Sequence, residues 1–164
     1  MDGGDVSYAS LVPYLFMFAI VALLLGILMF ALITLSDLES DLVNPHDCAV
    51  RLNSLLLPEI VLQSMLCTFF MVTLSVTGTV TNLPLLVYNL RMFFSGKMEL
   101  DVTEIFKQLP GEKRQRMVKL VMYMVAFVIV VFHLAEVALT AVAKEHGKDA
   151  VHHIVKEAVS SHVV

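Results

Sequence analysis

Between Leu11 and Leu35 the chain has no Asp, Glu, Lys, Arg or His. Charge is scarce elsewhere too. Only 16% of the 164 residues are charged and 58% are hydrophobic, whereas soluble domains carry about 25% charged and about 45–50% apolar residues. This excludes an ordinary soluble domain. About 20 apolar residues, rising about 1.5 Å each, cross a hydrocarbon core of about 30 Å, so Leu11–Leu35 crosses a bilayer with some tilt. The preceding Met-Asp-Gly-Gly-Asp has no Lys or Arg. That excludes the basic n-region of a cleaved signal peptide, and the apolar run is too long for one; it reads as an uncleaved first span. Asp2 after Met1 excludes N-myristoylation.

Cysteine is limited to Cys48, in a loop beside Asp47, and Cys67, in an apolar run. Settings so different make a poor disulfide pair, and they do not support a zinc site. No nucleophile–base arrangement with an orienting third group is legible, and there is no internal repeat or low-complexity tract. A membrane bundle of this length is one domain with no room for a separate soluble enzyme. No enzymatic activity, cofactor, metal or nucleic-acid partner is expected.

After Leu35 comes an acidic connection, Ser36–Asp41. Asn44 suits a helix cap, Pro45 the first helical position, and Asp47 the positive end of the helix dipole. A short helix is expected from Pro45 toward Leu57, with Pro58 kinking or restarting it. From Leu55 to Phe94 the only charges are Glu59 and Arg91. One helix over Ile60–Leu90 would be about 46 Å long, too long for an ordinary bilayer unless strongly tilted. The middle, Thr73–Asn82, is rich in β-branched and hydroxyl residues, holds Gly78 and precedes Pro84. It predicts a hairpin: a span over about 58–76, a turn near Gly78, and a short second span over about 82–94. The last apolar run is Leu120–Val142, broken only by His133 and Glu136.

The fold expected is an all-α integral membrane protein. It is a small bundle of four transmembrane helices over about 11–35, 58–76, 82–94 and 120–142, or three if 55–94 is one long span. Short amphipathic helices are expected in the loops and in the polar tail, 143–164. Seven of the eleven Lys and Arg residues lie between Arg91 and Lys119. By the positive-inside rule the loop 95–119 faces the cytosol. The tail is then lumenal or exterior, and with four spans so is the N-terminus.

Within that loop Asp101 and Glu104 are spaced as in a capping box, and Pro110-Gly111 is expected to stop the turn. The two-turn helix between them presents Ile105, Phe106 and Leu109. Such a patch either lies on the membrane or its own spans, or docks its apolar anchors into a cytosolic partner. Gln63, Ser64, Thr73 and Asn89 can supply interhelical hydrogen bonds, within the bundle or to another membrane protein. Glu59, at the membrane edge of the second span, is a structural or cargo-contact candidate. His133 and Glu136, three apart on one face, are an intramembrane ionisable pair, read as an interhelical hydrogen bond before a proton relay. Val151, Ile154, Val155, Ala158 and Val159 form one stripe of an amphipathic tail helix. His146, His152, His153 and His162 lack the sulfur and carboxylate company of a structural zinc site.

The segment Asp101-Val102-Thr103-Glu104-Ile105-Phe106-Lys107-Gln108-Leu109 resembles the cytosolic motif of the cornichon family, Asp-x-Thr-Glu-Ile-Phe-Arg-x-Leu. Other stretches agree in order and spacing: Ser36-Asp37-Leu38-Glu39 with Asp41, Asn44-Pro45, Arg51-Leu52-Asn53, Leu57-Pro58-Glu59 with Gln63, Pro84 and Tyr88, and Gly111-Glu112-Lys113 with Arg116 and Lys119-Leu120. The resemblance covers about 11–142. It implies four spans with both termini lumenal. It also implies a cargo receptor that selects transmembrane proteins in the endoplasmic reticulum and links them to the COPII coat, cycling between that membrane, COPII vesicles and the early Golgi. The implied partners are a COPII cargo-adaptor subunit, transmembrane cargo, membrane lipid and, in a homo-oligomer, a second copy. By similarity Ile105, Phe106, Lys107 and Leu109 match the coat-binding signal. Lys107 stands where the family often has Arg, keeping the charge without the bidentate geometry. Phe132-His133 departs from the family's usual Tyr-Arg pair. The alternative function is an auxiliary subunit of a membrane channel or transporter.

Overall fold

A computed structural model describes the backbone over residues 11–96 and 99–161, and the side chains over the same range except 145, 148–150 and 152–161. Among the described residues four helices follow one another: α1, Leu11–Glu39; α2, Pro45–Val72; α3, Val76–Phe94; and α4, Ile105–Ser161. Leu11–Glu39, Pro45–Val72 and Ile105–Lys144 are long and apolar enough to cross a membrane. With 19 residues, α3 is about 28 Å long at the helical rise. Its polarity is turned inward. Asn82 and Asn89 are buried, while Val76, Val80, Leu83 and Val87 face out.

The side-chain pairs between helices fix an up-down-up-down order. Phe16 stacks near Phe69, and Cys48 Sγ lies 3.8 Å from the Thr34 carbonyl, so α1 and α2 are antiparallel. Gln63 bonds Asn89, and Phe70 meets Gly78, so α3 runs back along α2. Glu39 pairs with Lys113, and Phe18 packs on Phe127, returning α4 along α1. The connections 40–44 and 95–104 therefore share one end of the bundle. The turn 73–75 lies at the other.

Two apolar layers form the core. At the end holding the two long connections, Ala31, Leu35, Leu38, Cys48, Ala49 and Leu52 pack with Leu100, Ile105 and Leu109. Toward the other end, Met17, Val21, Leu24 and Leu28 meet Leu66, Phe70, Leu85, Tyr123 and Val130. Leu and Val dominate the outer faces as well, as expected where the surroundings are hydrocarbon rather than water.

Several boundaries differ from the sequence expectation. The region 55–94 is a hairpin, not one span, but its turn is at Thr73–Ser75, and Gly78 sits inside the first turn of α3. The turn closes with Ser75 N–H donating to the Phe70 carbonyl and Leu74 N–H to that of Met71, at 3.1 and 3.2 Å, a Schellman arrangement. Leu74 supplies the left-handed residue at φ 54°, a conformation that costs a non-glycine residue about 1–2 kcal/mol. Gly78 is needed for closeness instead: a Cβ there would run into the Phe70 ring.

α2 is continuous through Pro58 rather than restarting there. Nor does Pro110-Gly111 stop a short helix: Ile105 opens α4, which runs on to Ser161. Pro110 removes only the bond to the Phe106 carbonyl, in the second turn of a long helix held by its packing. The tail is likewise helical and continuous with α4, not a separate helix. Of its expected apolar stripe only Val151 has a described side chain, and it is exposed. Ile154, Val155, Ala158, Val159, His152, His153 and His162 lie outside the described side chains.

Gly78→Ala should lower the stability of the detergent-purified protein by about 1–3 kcal/mol, the usual cost of overpacking. Shortening the opposing ring in the double variant with Phe70→Leu should restore part of it. Thermal unfolding of the wild type, both single variants and the double variant measures the coupling.

Candidate functional site

Between the two apolar layers lies a polar one. Glu59 and Gln63, four apart, share the inward face of α2; Asn89 comes from α3; Arg116, Lys119 and Tyr123 share the inward face of α4. All six are buried, Glu59, Gln63 and Asn89 completely. Lys119 Nζ lies 2.7 Å from Glu59 Oε1. Asn89 Nδ2 donates to Gln63 Oε1. Arg116 Nη2 stands 3.5 Å from Glu112 Oε2 on its own helix. Glu59 Oε2, Gln63 Nε2, and Arg116 Nε and Nη1 have no partner among the described residues. Removing a charge of either sign from water is costly, and a close opposite charge offsets that cost only while both are present. The layer thus acts as a register lock among α2, α3 and α4. Lys119 and Tyr123 were passed over in the functional reading of the sequence because they begin a long apolar run. The i, i+4 spacing of Glu59 and Gln63 was the available signal.

The sequence candidates Glu59, Gln63 and Asn89 are brought together here, but inside the bundle. None of the three is on a surface that an intact neighbouring helix can touch. The outward face of α2 is different. Ile60, Val61, Ser64, Met65, Thr68, Phe69 and Val72 line a concave surface of about 470 Å³. Ser64 and Thr68 satisfy their hydroxyls on the carbonyls of Ile60 and Ser64, at 2.8 Å each, so the surface is lined by small hydroxyl residues and a flexible methionine.

At the basic end the segment preceding α4 is pinned to α2. Asn53 Nδ2 donates to the Leu100 carbonyl at 3.2 Å, and Leu100 N–H donates to Asn53 Oδ1 at 2.9 Å. Asp101 caps no helix. Its Oδ1 accepts from the N–H and hydroxyl of Thr103, at 3.0 and 2.8 Å, and these bonds hold its carboxyl below the usual carboxylate range. The stability they contribute is fully present above that range and is lost as falling pH protonates Asp101. The four residues of the expected signal then separate into two pairs. Ile105 and Leu109 turn inward into the core, while Phe106 is 56% exposed and the Lys107 side chain 80%.

At the opposite end His133 Nε2 lies 3.0 Å from Ser75 Oγ, a partner the sequence reading missed, and Nδ1 lies 3.6 Å from Glu136 Oε2. The order serine, histidine, carboxylate is that of a charge-relay row, but 3.6 Å is too long for a hydrogen bond, and the Glu136 side chain is largely exposed. The Ser75–His133 contact joins the start of α3 to α4, matching the interhelical bond expected of His133, with Ser75 rather than Glu136 as the close partner. No cluster of three or more potential metal ligands occurs among the described residues.

A family model described as Cornichon protein matches residues 11–132. Protein cornichon homolog 2 of Oryza sativa is 40% identical over 131 residues, covering 80% of this chain and 88% of its own. Protein cornichon homolog 4 of Arabidopsis thaliana is 37% identical, over 83% of this chain and 96% of its own. ER-derived vesicles protein erv14 of Schizosaccharomyces pombe is 36% identical over 98 residues, 60% of this chain and 72% of its own. No solved structure matches.

Lys119→Met leaves Glu59 buried and alone, and should cost about 3–5 kcal/mol. Lys119→Met combined with Glu59→Leu removes both charges and should be markedly more stable than the single variant. Thermal unfolding in detergent ranks them.

Proposed function

This chain belongs to the cornichon family, and from that premise we propose that it is a cargo receptor. It selects transmembrane proteins in the endoplasmic reticulum and couples them to the COPII coat for transport to the Golgi. The work divides between two surfaces. Cargo helices lie against the outward groove of α2, where small hydroxyl residues permit close approach and Met65 adapts to different shapes. The coat adaptor meets the turn that opens α4. The reading needs no reaction centre.

The observation that carries this reading is the exposure of Phe106 and Lys107 on a turn clamped at the basic end. Arg51, Arg91, Lys107, Lys113, Arg114, Arg116 and Lys119 all lie toward this end, a bias that supports a cytosolic orientation for it. The Asn53 clamp and the Asp101–Thr103 bonds order the turn before a partner arrives, so less entropy is lost on docking. Ile105 and Leu109 serve the signal by fixing the direction of Phe106. The name of the fission-yeast relative, an ER-derived vesicles protein, supports export from the same membrane.

Phe106→Ala with Lys107→Glu should leave thermal stability within about 0.5 kcal/mol of the parent, both positions being exposed. Packaging into COPII vesicles budded from microsomes should fall several-fold. Ile105→Ala or Leu109→Ala should instead destabilise the protein by about 2–5 kcal/mol through the cavity left in the core. Undiminished packaging of the exposed-pair variant contradicts the docking role. Steady accumulation at the cell surface in complex with one channel would favour an auxiliary subunit instead.

A further inference from the structure

The seam between α3 and α4 carries a feature that neither cargo selection nor coat docking uses. A groove of about 410 Å³ runs along it, lined by Pro84, Leu85 and Tyr88 from α3 and by Arg114, Gln115, Val118, Lys119 and Met122 from α4. Through Tyr88, Gln115 and Lys119 it adjoins a narrower polar pocket lined also by Asn89, Glu112 and Arg116. Arg116 is only 3% exposed, and its Nε and Nη1 have no partner among the described residues. Glu112 engages Nη2 alone. Arg114, on the groove itself, is exposed and forms no ion pair among the described residues.

The polarity of the groove is ordered along its length. Because α3 and α4 are antiparallel, Tyr88 and Arg114 stand together at the basic end, and Pro84 and Met122 lie deeper. From Arg114 to Met122 the helical rise is about 12 Å. Charge at the interface, a tyrosine at the same height and an apolar trough leading inward match the polarity of an amphiphile. Lys119 is taken by Glu59, and Arg116 lies off the groove in the adjoining pocket, which leaves Arg114 as the uncompensated cation lining the groove among the described residues. A guanidinium with open donors is matched best by an oxyanion, phosphate above all.

We propose that this seam binds an anionic glycerophospholipid, its phosphate held by Arg114 at the basic end of the groove and one acyl chain lying along Leu85, Tyr88, Val118 and Met122. Charge decides the class of headgroup, and the apolar trough distinguishes the lipid from free phosphate.

The test uses the intact chain, delipidated in a mild non-ionic detergent, with dioleoyl phosphatidylserine and dioleoyl phosphatidylcholine as matched probes. Native mass spectrometry counts bound lipid. Phosphatidylserine should be retained about tenfold better than phosphatidylcholine. Arg114→Gln, at an exposed site where folding is safe, should reduce that preference several-fold. Val118→Trp, also at an exposed site, should fill the trough and weaken both lipids. Equal retention of the two lipids overturns the proposal, as does an unchanged preference in Arg114→Gln or unchanged binding in Val118→Trp. Displacement of the lipid by excess inorganic phosphate as effectively as by phosphatidylserine overturns the acyl-chain assignment.

Discussion

One buried ion pair, Glu59 with Lys119, sets the geometry on which the rest of this bundle depends. Apolar packing holds helices together in lipid without specifying register, because a leucine sliding past a leucine changes little. A carboxylate and an ammonium that must meet in a water-poor interior permit one alignment. The pair fixes α2 against α4, and the Gln63–Asn89 bond one turn away fixes α3 against α2. Both long connections are thereby placed at the same end of the molecule.

From that alignment the chemistry of the basic end follows. α4 begins beneath the acidic end of α1, where Lys113 reaches Glu39. Ile105 and Leu109 close the apolar layer, and the residue between them on the outer side, Phe106, is left to solvent. The proposed signal is thus not a free peptide. It is the first turn of a 57-residue helix whose core-facing positions are already occupied, so the surface offered to a partner is small and stiff. The groove on the outward face of α2 lies apart from Phe106, so under the proposed function cargo and coat need not compete for one surface.

Much of this was legible in the chain, because long apolar runs and their polar interruptions are first-order signals. α1 and the separation of α2 from α3 followed from hydropathy and length alone. The misplaced boundaries have a common cause: local punctuation was overridden by tertiary contact. Gly78 reads as a turn residue, yet it is the contact point for Phe70 inside a helix, while Leu74, with no turn propensity, takes the left-handed position. Pro58 and Pro110 read as breaks, yet each sits in a helix long enough to lose one hydrogen bond. The site was half legible. Glu59, Gln63 and Asn89 stood out as polar residues in apolar runs. Lys119, the partner of Glu59, and the neighbouring Tyr123 did not, since nothing in a linear pattern shows which distant helix they face. The inward turn of Ile105 and Leu109 required the positions of Leu35, Leu52 and Leu100.

The account rests on the basic end facing the cytosol while the 73–75 turn faces the opposite side, and side-specific labelling of sealed microsomes tests it directly. Both native cysteines are buried, so single cysteines introduced at the exposed positions Leu42, Leu74 and Ser95 report cleanly to a membrane-impermeant maleimide. Leu42→Cys and Ser95→Cys should label in intact vesicles, and Leu74→Cys only after permeabilisation. Labelling of Leu74→Cys in sealed vesicles, with Ser95→Cys protected, would contradict the orientation and the coat-docking function with it.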